Sequence, residues 1–337
     1  MNRASLHSAT GLLADARWKG YHGIGRFARE VLGRLPRHSE LVRGPKPLSI
    51  GDPLWLSYQV TARRPSVFFS PGFNPPLLCR APFVFTIHDL MQIQSPNVAT
   101  PAKRLYYRLV VKPACHRAYR VLTVSDYSRA EILSWSGLAE NRVVNVGNGV
   151  ASPFRSEGPC YEPGFPYVLY VGNCRPHKNL PRLLLAFSAL DQPDLRLVLV
   201  GNPTSLMTAS VLQTGLTGRT EWVSDVSDHQ LAAMYRGAEL LVLPSLIEGF
   251  GLAALEAMAC GTPVVLSKTT ALPEVAGPAG FYFDPLDVGD MRQALARVLR
   301  DRNLRRVMRA LGLERARQFS WDKVAARVKA VLEQAAG

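Results

Sequence analysis

Short apolar runs alternate with longer amphipathic stretches along this chain, and this alternation is the feature that most restricts its fold. In the first half, the strand-like runs are Ser66–Ser70, Phe83–His88, Val121–Val124 and Val143–Val146. The helical stretches between them are Gly25–Leu35, Pro101–Arg120 and Ser128–Trp135. This pattern predicts an α/β domain with a parallel sheet that is wound with helices.

A second series of the same kind follows residues 151–166, which are rich in Pro, Gly and Ser and are predicted to form a linker. Its predicted strands are Tyr167–Val171, Leu195–Val200, Glu221–Val223, Leu240–Leu243 and Pro263–Leu266. Its predicted helices are Leu180–Leu190, Asp228–Tyr235, Leu252–Ala259 and Val288–Asp301, and the chain closes with Trp321–Glu333. A chain of 337 residues suits two domains. We therefore expect two doubly wound domains, residues 1–155 and 156–318, facing each other across a cleft.

The net charge of +14 lies almost entirely in the first half. Residues 1–155 contain 21 Lys and Arg against 8 Asp and Glu, whereas residues 156–337 contain 19 against 18. One half is therefore expected to face an anionic partner such as nucleic acid, a membrane surface or a phosphorylated acceptor. Five scattered cysteines, no apolar run long enough to span a bilayer and no signal-peptide core lead us to expect a cytoplasmic protein.

The segment from Leu243 to Val265 carries the strongest chemical signal. A predicted strand ends near Leu243, a turn contains Glu248, Gly249 and Gly251, and a helix then begins near Leu252. The N-terminus of a helix favours an anion, typically phosphate, and glycines allow its close approach. Because ionised carboxylates only accept hydrogen bonds, Glu248 and Glu256 suit the hydroxyls of a sugar or ribose.

These residues resemble the Glu-x7-Glu signature of family 4 of the retaining glycosyltransferases. The resemblance implies the GT-B fold of two Rossmann-like domains and a nucleotide-sugar donor. It assigns Glu248 to the donor sugar and Glu256 to the nucleotide ribose, with Gly249, Phe250, Gly251 and Leu252 in the same donor site. The tail from Phe319 to Asp322 resembles the closing segment of the family, so residues 319–337 are expected to pack back on the N-terminal domain.

Further landmarks resemble motifs of the family in the same order, and the one between Val168 and Leu180 opens the second domain. It implies that Lys178 binds the donor diphosphate. The family commonly has Arg directly before this Lys, where this chain has His177. Arg175 is the candidate to take the place of that Arg.

The string Gly23-Ile-Gly-Arg-Phe-Ala28 also fits the dinucleotide-binding fingerprint. That interpretation requires a strand directly before the glycines, where residues 15–22 form a polar loop. It also requires an acid at the end of a second strand, and no convincing strand leads to Asp52. The resemblance instead places Gly25 near the donor phosphate, with Gly23 and Arg26 on the acceptor side.

The remaining landmarks of the first domain follow predicted strands. The resemblance implies that His88 contacts the donor sugar, and Asp89 lies beside it. Ser125 is first a helix N-cap and second an acceptor-side residue. Asn148 belongs to a turn that lies beside the cleft in the family.

The chain contains no Asp-x-Asp pair of the kind that holds a metal on the diphosphate in glycosyltransferases of the other main fold. We therefore expect no metal and no cofactor, with Lys178 and the start of the helix after Gly251 neutralising the leaving group. The resemblance implies retention of anomeric configuration. A same-face reaction is the family's proposed route, in which His88 and Glu248 orient the sugar while the departing phosphate takes the acceptor's proton.

The segment Lys103–Arg120 carries a basic residue at every fourth position, namely Arg104, Arg108, Lys112, His116 and Arg120. On a continuous helix these residues form a basic stripe beside Leu105, Tyr106 and Tyr107, and Pro113 favours a kink in that helix. The stripe is either a solvated face or a peripheral contact with an anionic membrane.

The favoured interpretation is a membrane-associated hexosyltransferase of bacterial surface polysaccharide, which takes mannose from GDP-mannose to a glycan or a lipid-diphosphate-linked sugar. Within the family, the chain most resembles mannosyltransferase-like enzymes of O-antigen assembly. Rhamnosyl- or glucosyltransferases that use a dTDP- or UDP-sugar share these motifs. A nucleotide-sugar epimerase or a non-catalytic GT-B partner is the alternative of another class. Nucleic-acid binding has only the charge in its favour, because no nucleic-acid motif is present.

Overall fold

The computed structural model describes residues 11–20, 23–47, 49, 51–95 and 99–337. Tyr21 and His22 of the predicted polar loop lie outside the described residues. The internal contacts divide the chain into two compact units. The first contains residues up to Gln94, Ala99–Gly147 and Trp321–Gly337, and the second contains Asn148–Ser320 with Ser95. Residues 148–155, assigned to the first domain from the sequence, group with the second unit.

The first unit contains a sheet of six parallel strands. The strands are β1 (Leu12–Asp15), β2 (Ser39–Leu41), β3 (Val67–Ser70), β4 (Phe83–Thr86), β5 (Arg120–Thr123) and β6 (Val143–Asn145), in the spatial order β2-β1-β3-β4-β5-β6. The chain leaves β1 in one direction and returns to its other side with β3, so the strand order reverses between β1 and β3. Ligands of doubly wound sheets bind beyond the carboxyl ends of the strands at such a point.

Among the described residues, six α-helices belong to the part of the first unit before Gly147. They are α1 (Gly23–Leu32), α2 (Asp52–Arg63), α3 (Met91–Gln94), α4 (Pro101–Tyr106), α5 (Lys112–Arg117) and α6 (Asp126–Ser136). A π turn over Tyr107–Val111 joins α4 to α5, and Pro113 lies at the start of α5. The predicted continuous helix Pro101–Arg120 is therefore wrong in two respects, because the π turn shifts its helical phase and because Arg120 begins β5.

The sequence pattern did not predict β1, β2, α2 and α3. Strand β1 ends at Asp15, and a 3-10 turn over Ala16–Trp18 separates it from α1. A strand therefore does precede the glycines, although not directly. Asp52 begins α2 rather than following a strand, and the Arg17 guanidinium pairs with it at 2.5 Å and with Asp15 at 2.7 Å.

The second unit contains another six-stranded parallel sheet in the order β12-β11-β10-β7-β8-β9. Its strands are β7 (Tyr167–Val171), β8 (Arg196–Val200), β9 (Thr220–Val223), β10 (Leu240–Leu243), β11 (Val264–Ser267) and β12 (Gly280–Phe283). Its helices are α7 (Leu180–Ser188), α8 (Ser205–Gln213), α9 (Asp228–Gly237), α10 (Leu252–Ala259), α11 (Leu272–Ala276), α12 (Val288–Arg300) and α13 (Arg302–Ala316). The order reverses between β7 and β10, so the loops that follow these two strands lie side by side.

The last helix, α14 (Trp321–Ala336), belongs to the first unit. Trp321 is fully buried, and its ring packs against Phe27 of α1 with 6.2 Å between ring centroids. Asp322 accepts a hydrogen bond from Arg34 at 2.8 Å. The apolar face of α14 thus completes the packing around α1.

Candidate functional site

The loops after β7 and β10 are joined by hydrogen bonds at the point where the second sheet reverses its strand order. The amide of Leu246 donates to the carbonyl oxygen of His177 at 2.8 Å. The buried Asn179 side chain donates to the carbonyl oxygens of Pro244 and Pro285 at 3.0 and 2.7 Å. Asn179, which follows β7, thereby links the loop after β7 to the loops after β10 and β12.

Lys178 and Glu248 form an ion pair at this junction, with 2.5 Å between Lys178 Nζ and Glu248 Oε1. Their side chains are 16% and 11% exposed, so solvent screens the pair only in part. The buried Ser245 hydroxyl donates to the same carboxylate oxygen at 2.8 Å. The Glu248 amide donates to Thr270 Oγ1 at 3.0 Å, which fixes the loop from the other side.

Helix α10 begins directly after this loop. Gly251, its N-cap, has a φ of +97°, and a Cβ at this position would lie 2.5 Å from Leu272 Cδ2. Glycine is therefore required both for the backbone conformation and for the space. Phe250 is buried against Phe319 with 5.9 Å between ring centroids. The predicted donor-site residues Gly249 and Leu252 flank this turn, and the helix begins four positions after Glu248 of the ion pair.

Glu256 lies in the second turn of α10 and is 5% exposed. Its Oε2 accepts a hydrogen bond from the hydroxyl of Tyr235 in α9 at 3.2 Å. The second signature glutamate is therefore held by a buried donor from a neighbouring helix, which the spacing in the sequence did not indicate.

His177 and Arg175 differ in environment. Arg175 is exposed on the turn, whereas His177 is 4% exposed. Burial, together with the positive charges of Lys178 and Arg175, lowers the pKa of His177 to about 4. His177 is consequently neutral at pH 7 and contributes no charge where the family commonly has Arg. The role of Arg175 toward a diphosphate stays a prediction.

The first unit brings the start of α1 and the end of β4 together. His88 Nε2 lies 2.9 Å from the carbonyl oxygen of Pro71, and the ring of Phe27 stands edge-on to the imidazole at 5.0 Å. A Cβ on Gly25 would lie 2.6 Å from the backbone of Gly20, so the backbone is closely packed at this turn. The predicted contact of His88 with a donor sugar stays a prediction.

The other predicted residues of the first domain have local structural roles or are buried. Asp89 accepts a hydrogen bond from the Met91 amide at 2.9 Å and Ser125 caps α6, as expected for a helix N-cap. Gly23 begins α1, Arg26 is 6% exposed, and Asn148 is 4% exposed and is the first residue of the second unit. Their proposed roles near an acceptor stay predictions.

The basic segment presents different residues to solvent than the sequence predicts. Tyr107 is buried and Tyr106 donates a hydrogen bond to Asn74, so neither tyrosine forms part of an outer face. Leu105 and Leu109 are instead 55% and 59% exposed. The π turn over Tyr107–Val111 begins directly after Tyr106.

The cations of this segment are also divided. Arg104 and Arg108 are exposed next to the two leucines. Lys112 donates to the carbonyl oxygen of Trp135 at 2.8 Å, and Arg120 stacks on Tyr119. Across the described residues, no helix combines the length and the apolar character that crossing a bilayer requires, and no cluster of His, Cys, Asp and Glu suits a metal ion.

Comparisons with known proteins show which family this chain resembles. Residues 161–315 match the group 1 glycosyl transferases, and residues 20–154 match glycosyltransferase family 4. The chain is 34% identical over 272 residues to the O-antigen chain mannosyltransferase B of Escherichia coli, with 76% of this chain and 71% of that protein covered. It is 40% identical over 274 residues to the MMP alpha-(1->4)-mannosyltransferase of Mycolicibacterium hassiacum, with 75% and 66% covered.

Among solved structures, Anabaena HepE in complex with UDP and glucose matches with a TM-score of 0.79 at 17% identity. The match covers 96% of this chain and 99% of that one. At this identity the likeness shows the fold.

Proposed function

Because the chain belongs to glycosyltransferase family 4 and has its GT-B fold, we propose that it transfers a hexose from a nucleotide sugar to a glycan or lipid-linked acceptor. The favoured donor is GDP-mannose, and the favoured setting is assembly of a bacterial surface polysaccharide such as O-antigen. The names of the two mannosyltransferase relatives support mannose as the transferred sugar, and the name of the Escherichia coli relative supports O-antigen as the setting. The observation that carries the proposal is the junction of Lys178, Glu248 and the α10 N-terminus where the second sheet reverses its strand order.

This junction combines the groups that a nucleotide diphospho-sugar requires. Lys178 and the amides at the start of α10 would neutralise the diphosphate, with exposed Arg175 as a further cation. Glu248 would accept hydrogen bonds from sugar hydroxyls, and Glu256 from ribose hydroxyls. Because these cations and dipoles act on the leaving diphosphate, we propose that the transfer needs no metal.

We further propose a retaining, same-face reaction. The bond from the anomeric carbon to the diphosphate oxygen breaks, the acceptor oxygen bonds to the same face, and the departing phosphate oxygen takes the acceptor's proton. His88 and Glu248 orient the sugar through an oxocarbenium-like transition state. NMR of the glycosidic product would show the same anomeric configuration as the donor, and an inverted product would refute this route.

The exposed pair Leu105 and Leu109, with Arg104 and Arg108 beside it, supports peripheral binding at the cytoplasmic face of an anionic membrane. Flotation with vesicles that contain an anionic phospholipid tests this proposal. Binding should weaken when both leucines are replaced by Ser, and vesicles without anionic lipid should bind poorly. Flotation that is indifferent to anionic lipid would refute it.

The first experiment is equilibrium binding of GDP, UDP, dTDP and ADP in EDTA, with Lys178→Ala as the control. One tight, Lys178-dependent nucleotide is expected. GDP would support the mannose assignment, whereas UDP or dTDP would favour the glucosyl- or rhamnosyltransferase alternatives. Conversion of a nucleotide sugar without any acceptor would favour an epimerase. If none of the four bound, the non-catalytic alternative would be favoured.

A further inference from the structure

The hydroxyl of Tyr235 is placed to orient Glu256. Tyr235 is fully buried in α9, and its hydroxyl donates to Glu256 Oε2 across 3.2 Å. The two residues lie on different helices and are 21 positions apart in the chain.

A hydrogen bond fixes the backbone of Tyr235, and a second aromatic ring packs against its side chain. The Thr262 hydroxyl, just after α10, donates to the carbonyl oxygen of Tyr235 at 2.6 Å. Phe154 stands edge-on to the ring with 5.9 Å between centroids. A phenol held in this way keeps rotation about its C–O bond as its remaining freedom, so it offers Glu256 a donor at a defined position.

A glutamate side chain has three rotatable bonds, and its carboxylate can turn about the last of them. A ribose presents two adjacent hydroxyls, which require acceptor lone pairs in fixed directions. A donor that occupies one side of the carboxylate therefore sets the direction of its remaining lone pairs.

We propose that Tyr235 is a positioning residue that holds the Glu256 carboxylate in the orientation required by ribose hydroxyls, and thereby sets the preference of this site for ribonucleotides. The inference rests on the proposed function, because it requires Glu256 to face the ribose of the donor. It adds a residue that acts through Glu256 and need not touch the nucleotide.

The test compares a nucleoside diphosphate with its 2′,3′-dideoxy form, using GDP first and whichever nucleotide the binding screen selects. Calorimetry measures both ligands on the wild-type protein and on Tyr235→Phe. The variant should bind GDP about tenfold more weakly and dideoxy-GDP as before, because a Glu256 carboxylate that is no longer oriented weakens charge-assisted hydrogen bonds only to a ligand that has ribose hydroxyls. If Tyr235 had a purely structural role, its replacement would weaken the binding of both ligands equally.

Two variants serve as matched controls. Tyr161→Phe removes a hydroxyl that donates to Glu221 at the same distance of 3.2 Å, outside the site. Tyr167→Phe removes a buried hydroxyl that donates to the Met234 carbonyl oxygen at 2.7 Å. Both should keep the wild-type preference for GDP over dideoxy-GDP.

A double-mutant cycle completes the design. In the Glu256→Gln background, Tyr235→Phe should cause less than a threefold further change in GDP binding, because the shared interaction is already altered. An unchanged ribose preference in Tyr235→Phe, or equal losses for both ligands, would overturn the inference and leave the proposed function intact. If the wild-type protein bound no nucleotide, both would fail together.

Discussion

Replacing Glu248 by Gln should change nucleotide binding and turnover in opposite directions. In the resting structure Glu248 neutralises Lys178, the residue proposed to bind the diphosphate. Gln keeps the oxygen that accepts from Ser245 but removes the negative charge. A nucleoside diphosphate would then meet an unneutralised Lys178 and no repelling carboxylate.

The magnitude follows from the geometry. Two unit charges 4 Å apart attract by about 4 kcal/mol at an effective dielectric constant of 20. The carboxylate and ammonium here are closer and mostly buried, but Lys178 must lose water again when it binds phosphate, so most of that energy cancels. A net gain of about 1.4 kcal/mol is reasonable, which corresponds to a tenfold tighter Kd. Turnover should fall by about 10²–10³, the usual effect of removing one group that is organised for the transition state.

Calorimetry with the nucleoside diphosphate measures the first effect, and initial rates on a verified donor and acceptor measure the second. Lys178→Ala provides the control background. If the gain comes from releasing Lys178, Glu248→Gln should tighten binding much less when Lys178 is absent. Raising the salt concentration should reduce the gain in the single variant.

Unchanged or weaker nucleotide binding by Glu248→Gln would refute the competition between diphosphate and carboxylate for Lys178. Unchanged turnover would refute an important role for this carboxylate in the reaction. A gain of the same size in the Lys178→Ala background would assign the effect to general charge repulsion instead.

Further predictions concern the same loops. The pKa of His177 is lowered to about 4, against about 6.5 in the unfolded chain. The unfolded state therefore takes up a proton at a higher pH than the folded state does, and the free energy of unfolding falls as the pH drops from 6.5 to 4. Urea unfolding should show that His177→Gln lacks this pH dependence, which is on the order of 3 kcal/mol. An equal change of unfolding free energy with pH in the two proteins would contradict the prediction. Ser245→Ala should reduce kcat by about tenfold through the lost hydrogen bond to Glu248, with little change in the melting temperature. Gly251→Ala should destabilise the protein by about 1–3 kcal/mol, because a φ of +97° is unfavourable for alanine and its Cβ would meet Leu272. Thermal unfolding tests this prediction, and an unchanged melting temperature would contradict it.

Much of the second unit could be predicted from the sequence because its strands are continuous apolar runs. The predicted bounds of β7, β10 and α10 agree with the structure, and the landmark loops follow the strands as expected. The close approach of Lys178 to Glu248 was not predicted. It depends on β7 and β10 being neighbours, a fact of strand order that local patterns do not contain.

The two strands that were missed in the first unit are short. Strand β2 has three residues and lies at the sheet edge, and β1 has four residues that end in a charged aspartate. The predicted stripe over Lys103–Arg120 was wrong for a different reason, since a π turn breaks the 3.6-residue period on which it relied.

The buried hydroxyls of Ser245 and Tyr235 show a third limit. Both residue types are common in helices, turns and strands, and only the tertiary structure shows that each donates to a signature glutamate. A search for hydroxyl-bearing residues near the signature would have found Ser245, three positions before Glu248, but not Tyr235.

The position of α14 has a consequence for biosynthesis. Trp321 and the rest of that helix supply part of the core around α1, although about 290 residues separate them along the chain. The ribosome therefore delivers the second unit, Asn148–Ser320, before the first unit can receive its last helix. Until then the apolar surface around Phe27 stays uncovered on the nascent chain, where a chaperone can bind it. If translation stopped before residue 321, the first unit would be the incomplete one, although most of it is synthesised before the second unit.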